Sequence, residues 1–201
     1  MMDERKISKK KRFFGYLLPN NTLSLSIIGI FSALICILTM IISIPIPATQ
    51  GFINIGDAGV MITGMIFGPI IGGIAGGVGS SLADIFLGYT IYAPATLVIK
   101  GLEGFLVGLI ADPKKKISRI NYKDIFAVII GGITMSFGYF LYEIFLFGVS
   151  GALYEIFLNL IFQFGLGAII AILFVIPMRK NVTDNLPYVF DKIFLLENSM
   201  E

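Results

Sequence analysis

The sequence predicts an all-α membrane protein, a bundle of six transmembrane helices with both termini cytoplasmic. Three observations carry this. Of 201 residues, 56% are hydrophobic and only 14% charged, where a soluble domain carries roughly 25% charged residues, and mean hydropathy is +0.90. The chain has room for about six apolar segments of ~20 residues, the length that crosses a bilayer. Its basic residues fall almost entirely on alternate connections.

The first dozen residues, MMDERKISKKKR, are polar and basic. Leu23 to Ile44 follows as an uncleaved first helix, too long for the apolar core of a secretory signal. Pro45 to Gly56 holds two prolines and two glycines and reads as a loop. The second helix begins near Ile55 or Asp57 and ends around Phe67. Counted from Asp57 it reaches only ~16 Å, so it either starts inside the loop or fails to cross. Gly68-Pro69 breaks it, and Pro69 suits the first turn of a third helix running to about Gly88. The fourth helix covers about Ala95 to Ala111, the fifth Ile125 to Phe147 and the sixth Leu153 to Met178. Three regions result: a basic cytoplasmic arm at 1–22, a six-helix substrate-binding domain at 23–178 and a cytoplasmic tail at 179–201. No internal repeat is visible.

Orientation follows from counting. The arm carries Arg5, Lys6, Lys9, Lys10, Lys11 and Arg12; the connection after the fourth helix carries Lys114, Lys115, Lys116, Arg119 and Lys123; the tail carries Arg179, Lys180 and Lys192. With six crossings these regions share one side, which the positive-inside rule makes cytoplasmic. They hold all the Lys and Arg residues except Lys100.

Lys100 belongs to a set of six ionisable residues within or at the ends of apolar segments, with Asp57, Asp84, Glu103, Glu143 and Glu155. Each costs at least ~2.5 kcal/mol at the centre of a membrane helix and is by default a functional-site candidate. The topology places all six in the outer half. Lys100 and Glu103 lie ~8 and ~12 Å into the fourth helix. Glu155, Asn159 and Gln163 recur every four residues and stack on one face of the sixth helix, as Tyr139 and Glu143 do on the fifth. Above them sit loops bearing Phe52, Asn54, Tyr89 and Tyr92. Aromatic side chains with a few convergent polar groups describe a small-molecule site.

Plainer roles stay open for each residue. Asp57 suits a helix N-cap, Asp84 and Lys100 suit a counter-ion pair between helices, and Lys100 and Glu103 can pair along one helix. Glu155 suits a solvated helix start, Asn159 and Gln163 interhelical hydrogen bonds, and Tyr89 and Tyr92 an interfacial aromatic belt. The glycine-rich start of the third helix reads as close helix packing, since no Gly-Lys-Ser/Thr follows to make a phosphate loop. Histidine is absent, which removes Ser-His and Cys-His nucleophile pairs; the single Cys36, mid-helix, reads as a small buried side chain. No enzyme activity and no cofactor are expected.

The motifs GFINIGD (51–57), FGPIIGGIAGGVGSSLAD (67–84), GYTIYAP (88–94) and LVIKGLEGFLVG (97–108) resemble the substrate-binding S components of energy-coupling factor (ECF) transporters, in their riboflavin-type branch. The resemblance implies a multi-pass cell-membrane protein that binds a vitamin or vitamin precursor from outside. The pocket would lie between the outer ends of helices four to six, with the loop from Pro45 to Gly56 as its gate, bearing Phe52 and Asn54 and leading into Asp57. It also implies docking on a transmembrane T component joined to two ATP-binding cassette ATPases. Small residues on the first helix would mediate that docking, here Gly29 and Ala33 in place of two alanines, and the subunit would topple to release substrate. An excess of acids over bases in the candidate pocket favours a neutral or weakly cationic heterocycle, riboflavin-like or hydroxymethylpyrimidine-like. The alternative is a stand-alone proton-coupled transporter titrating Glu143 and Asp84.

Overall fold

In the computed structural model, residues 12–13, 16–113 and 120–185 are described. Most of the basic arm, Lys114 to Lys116 and Arg119 of the basic connection, and the tail beyond Asn185 lie outside them. After two short paired strands, β1 (Arg12–Phe13) and β2 (Tyr16–Leu17), the chain runs α1 (Thr22–Ile41), β3 (Ser43–Ile46), β4 (Gly51–Asn54), α2 (Gly56–Phe67), α3 (Pro69–Leu87), α4 (Ala93–Ala111), α5 (Tyr122–Phe147) and α6 (Val149–Leu158). A π-helical turn (Asn159–Phe164) leads without a break into α7 (Gly165–Asn185). Among the described residues five helical stretches are long and apolar enough to cross a membrane, the last of them continuous from Val149 to Val182. The shorter apolar helix is α2.

The boundaries differ from the sequence reading for local reasons. The Asn21 side chain accepts from the Ser24 N–H at 2.7 Å and starts α1 one residue early. α1 stops at Ile41, three residues short of Ile44, because the next residues enter a hairpin: Ser43 pairs with Asn54 and Ile46 with Gly51. Half of the loop from Pro45 to Gly56 is therefore β-structure. A capping box of Asn121 and Asp124 starts α5 at Tyr122 rather than Ile125. Gly148 (φ 81°) alone makes the turn before α6, which opens at Val149 rather than Leu153.

α2 resolves the short-helix problem. Its 12 residues reach only ~18 Å, and every one of them is buried. Enclosed by α1, α3, α4 and α7, it meets lipid nowhere and need not span the hydrocarbon. At one end the β3–β4 hairpin completes the layer. At the other, the Tyr16 ring sits against Gly68, whose φ of 85° turns the chain into α3.

Glycines set how closely α3 and α4 approach. A Cβ at Gly104 would lie 2.3 Å from the Gly72 carbonyl oxygen, and one at Gly108 2.4 Å from the Gly68 carbonyl carbon. These are backbone atoms, which cannot step aside. Gly104→Ala is therefore expected to cost 1–3 kcal/mol as overpacking, read as a lower melting temperature in detergent. Gly29→Ala is the control, since nothing lies within 4 Å of a Cβ there and its melting should match the parent.

The sixth apolar segment continues past Met178 to Asn185. Arg179, counted in sequence with the polar tail, is instead buried. Its guanidinium donates to both Asp124 oxygens, at 2.9 and 2.7 Å, and to the Met65 carbonyl. This bidentate pair ties α7 to α5 and α2 at the end remote from the hairpin, and so keeps the helix in register beyond the apolar run.

Candidate functional site

At the hairpin end, all six ionisable residues point inward. Asp57, Asp84, Lys100, Glu103, Glu143 and Glu155 are each no more than 4% exposed, and Asn159 and Gln163 are as deeply buried. None meets lipid. They divide into two groups.

The first is an ion cluster. Lys100 on α4 donates to the Asp57 carboxylate, in the first turn of α2, and to Glu103 Oε2 at 3.1 Å, one turn along its own helix. Its ammonium also lies 5.8 Å from the Tyr139 ring centroid, within cation–π range. The counter-ion of Lys100 is thus Asp57 rather than Asp84. Two acids around one base leave the cluster one negative charge in excess if all ionise.

The second group surrounds a cavity. Asp84 from α3, Tyr92 and Thr96 at the start of α4, Tyr139 from α5, Glu155 from α6, and Asn159 and Gln163 from the π turn line its walls. Asp84 interacts with Thr96, and the Tyr139 hydroxyl donates to Thr96 Oγ1 at 3.0 Å. Glu143 stands behind this wall, its carboxyl group interacting with that of Glu155.

The π turn aligns the sixth-helix strip. Residues four apart in an α-helix over-rotate by about 40°, so Gln163 would drift off the line of Glu155 over two such steps. The wider π turn from Asn159 to Phe164 under-rotates and brings Gln163 back. All three side chains are buried as a result.

The roof is the β3–β4 hairpin, and polar contacts hold it to the lining residues. Thr49 donates its hydroxyl to Glu155, and the Tyr92 hydroxyl donates to the Thr49 carbonyl at 2.7 Å. The Asn54 N–H donates to Gln163 Oε1 at 3.1 Å, while Asn54 Oδ1 accepts from the Gly56 N–H and braces the start of α2. The Phe52 ring packs on Tyr89 with centroids 4.5 Å apart. Gly51 lies so close to the floor that a Cβ would stand 3.0 Å from Glu155 Oε1 and 3.1 Å from the Tyr92 hydroxyl. Beneath the roof the cavity measures about 20 Å³, room for one or two waters.

Thr49 and Thr96 escaped the sequence reading. Thr96 carried a usable signal: with Lys100 and Glu103 it makes an i, i+4, i+7 stripe on one face of α4. Thr49, in an irregular turn, carried none.

The family model of the ECF-type riboflavin transporter S component matches residues 19–180. The chain belongs to that family. The match runs from just before α1 to one residue beyond Arg179, and so takes in the hairpin, both polar groups and the Arg179 latch. The chain is also similar to a protein of Pyrococcus woesei described as an uncharacterized protein in the gap 3′ region, with 44% identity over 127 residues, covering 63% of this chain and 82% of that one. As a member of an S component family, this is a membrane transport protein whose family role is substrate binding.

Proposed function

We propose that this protein captures a vitamin or vitamin precursor from outside the cell and delivers it for ATP-driven uptake. The observation that carries the reading is a polar, aromatic cavity, roofed by a hairpin, inside a bundle whose outer surface is apolar. A heterocycle would lie among Tyr92, Tyr139 and Phe52, with Asn159 and Gln163 reading its edge. Family membership supports a flavin-like or hydroxymethylpyrimidine-like compound.

The chain crosses the membrane six times, with α2 and the hairpin together forming the second crossing and both termini cytoplasmic. The one-sided basic residues support this orientation, and it opens the hairpin end to the exterior. The subunit has no ATPase of its own in this scheme. It docks through α1 on a transmembrane T component carrying two ATP-binding cassette ATPases. Gly29 and Ala33 are exposed on α1, beside exposed Leu25, Ile30 and Ile37, an outward face with small residues at its centre that suits close helix contact.

Proteoliposomes test the whole reading. Vesicles carrying this chain with a T component and both ATPases are expected to accumulate the vitamin that co-purifies with the chain, as identified by mass spectrometry, and only with ATP inside. Accumulation by this chain alone, driven by a proton gradient, would replace the reading with a stand-alone transporter.

A further inference from the structure

Hydrogen-bond donors and acceptors at the site are unequally engaged. Nearly every donor has a partner within the protein. The Tyr92 hydroxyl is committed to the Thr49 carbonyl, the Tyr139 hydroxyl to Thr96, the Thr49 hydroxyl to Glu155 and the Lys100 ammonium to Asp57 and Glu103. Two amides are less engaged: that of Asn159 interacts electrostatically with Glu155, and that of Gln163 is weakly used, against the Met135 sulfur at 3.7 Å.

The acceptors are the reverse. Among the described residues, Asp84 Oδ2, Asn159 Oδ1 and both oxygens of Glu143 are buried with no hydrogen-bond donor. Asp84 and Asn159 line the cavity directly, and among the described residues no Lys or Arg does. A buried acceptor without a donor costs 1–3 kcal/mol, and four stand in or behind one small cavity. The deficit is therefore of one kind: the site lacks N–H groups and positive charge.

Resting on the vitamin-capture reading above, we propose that the substrate supplies both, and is a positively charged nitrogen heterocycle with amino or ring N–H donors. Asp84 and Glu155, both in the cavity lining, act as its counter-ions, with Glu143 beside Glu155. Asn159 Oδ1 accepts from an amino group. Tyr92 and Tyr139 add aromatic rings to the lining, which suit a delocalised organic cation better than a hydrated metal ion. An anionic or phosphorylated compound would meet acids on two walls and no base, and is rejected.

Binding of two probes to the purified full-length chain in lipid nanodiscs tests this. Riboflavin is neutral; thiamine carries a fixed positive charge and an aminopyrimidine. Thiamine is expected to bind at least tenfold more tightly, the scale of one charge-assisted hydrogen bond. Asp84→Asn, which keeps the shape and removes the charge, is expected to weaken thiamine about tenfold or more and riboflavin less than twofold. Riboflavin binding as tightly as thiamine, or an equal effect of Asp84→Asn on both, overturns the charge assignment and leaves the vitamin-capture reading intact. Binding of neither probe, with no vitamin-like molecule co-purifying, overturns both.

Discussion

Replacing Lys100 with methionine is expected to prevent recovery of a monodisperse, folded protein. The substitution keeps most of the side-chain length and removes the charge together with the donors to Asp57 and Glu103. It leaves Asp57 and Glu103, both 0% exposed, held together with no cation. Removing one partner of a buried ion pair typically costs 3–5 kcal/mol, because the other charge stays desolvated. Here two acids share that one base, so the upper end of the range applies. Against a total stability of roughly 5–15 kcal/mol, that loss lowers the melting temperature by on the order of 10 °C or abolishes folding. The companion variant Asp57→Asn/Lys100→Met/Glu103→Gln separates charge from packing. With no net charge left in the cluster, it should recover most of the lost stability, a coupling that only contacting residues show. Size-exclusion profiles and melting curves in detergent read both outcomes. If the single variant melts like the parent, the cluster is not the buried ion network described above.

Much of this architecture was legible because the bilayer imposes simple rules. Apolar length, proline and glycine punctuation, and basic asymmetry located six apolar helical segments, and the inward aim of Asp57, Asp84, Lys100, Glu103, Glu143 and Glu155 followed from the cost of leaving charge in lipid. What escaped depends on interactions between segments. The hairpin was hidden because Ser43–Ile46 and Gly51–Asn54 are four residues each, with prolines that usually argue against strands; their pairing is stabilised by what lies beneath. The π turn has no sequence signature at all. It is visible only through the need for Glu155, Asn159 and Gln163 to share one face. Arg179 reads as a flanking basic residue until Asp124 and the Met65 carbonyl are seen opposite it. Spacing suggests Asp84 as the partner of Lys100 and an N-cap role for Asp57; the pairing with Asp57 depends on how the helices pack, which spacing does not give.

The hairpin makes the last prediction, because a cavity of about 20 Å³ cannot admit a heterocycle that needs about 300 Å³. On the proposed reading, entry lifts the β3–β4 roof and breaks the Thr49–Glu155, Tyr92–Thr49 and Asn54–Gln163 hydrogen bonds together. All three join the roof to lining residues, so a ligand that engages Glu155 and Gln163 competes with the closed roof for the same groups. A cross-link between the roof and α6 should therefore abolish binding. Position 151 lies beside the turn: a Cβ there would stand 3.5 Å from Thr49 Cγ2, within reach of a cysteine Sγ at position 49. The variant Cys36→Ala/Thr49→Cys/Gly151→Cys, oxidised, is expected to bind riboflavin and thiamine at least ~100-fold more weakly than the same protein after reduction, since the fraction of molecules open to ligand approaches zero. The reduced protein is its own control for the lost Thr49 hydroxyl. Equal binding by the oxidised and reduced forms would mean that ligand enters elsewhere, and the side of the hairpin lined by Ile44, Tyr154 and Phe162, where a larger apolar groove borders Asn54, would then be the path to test.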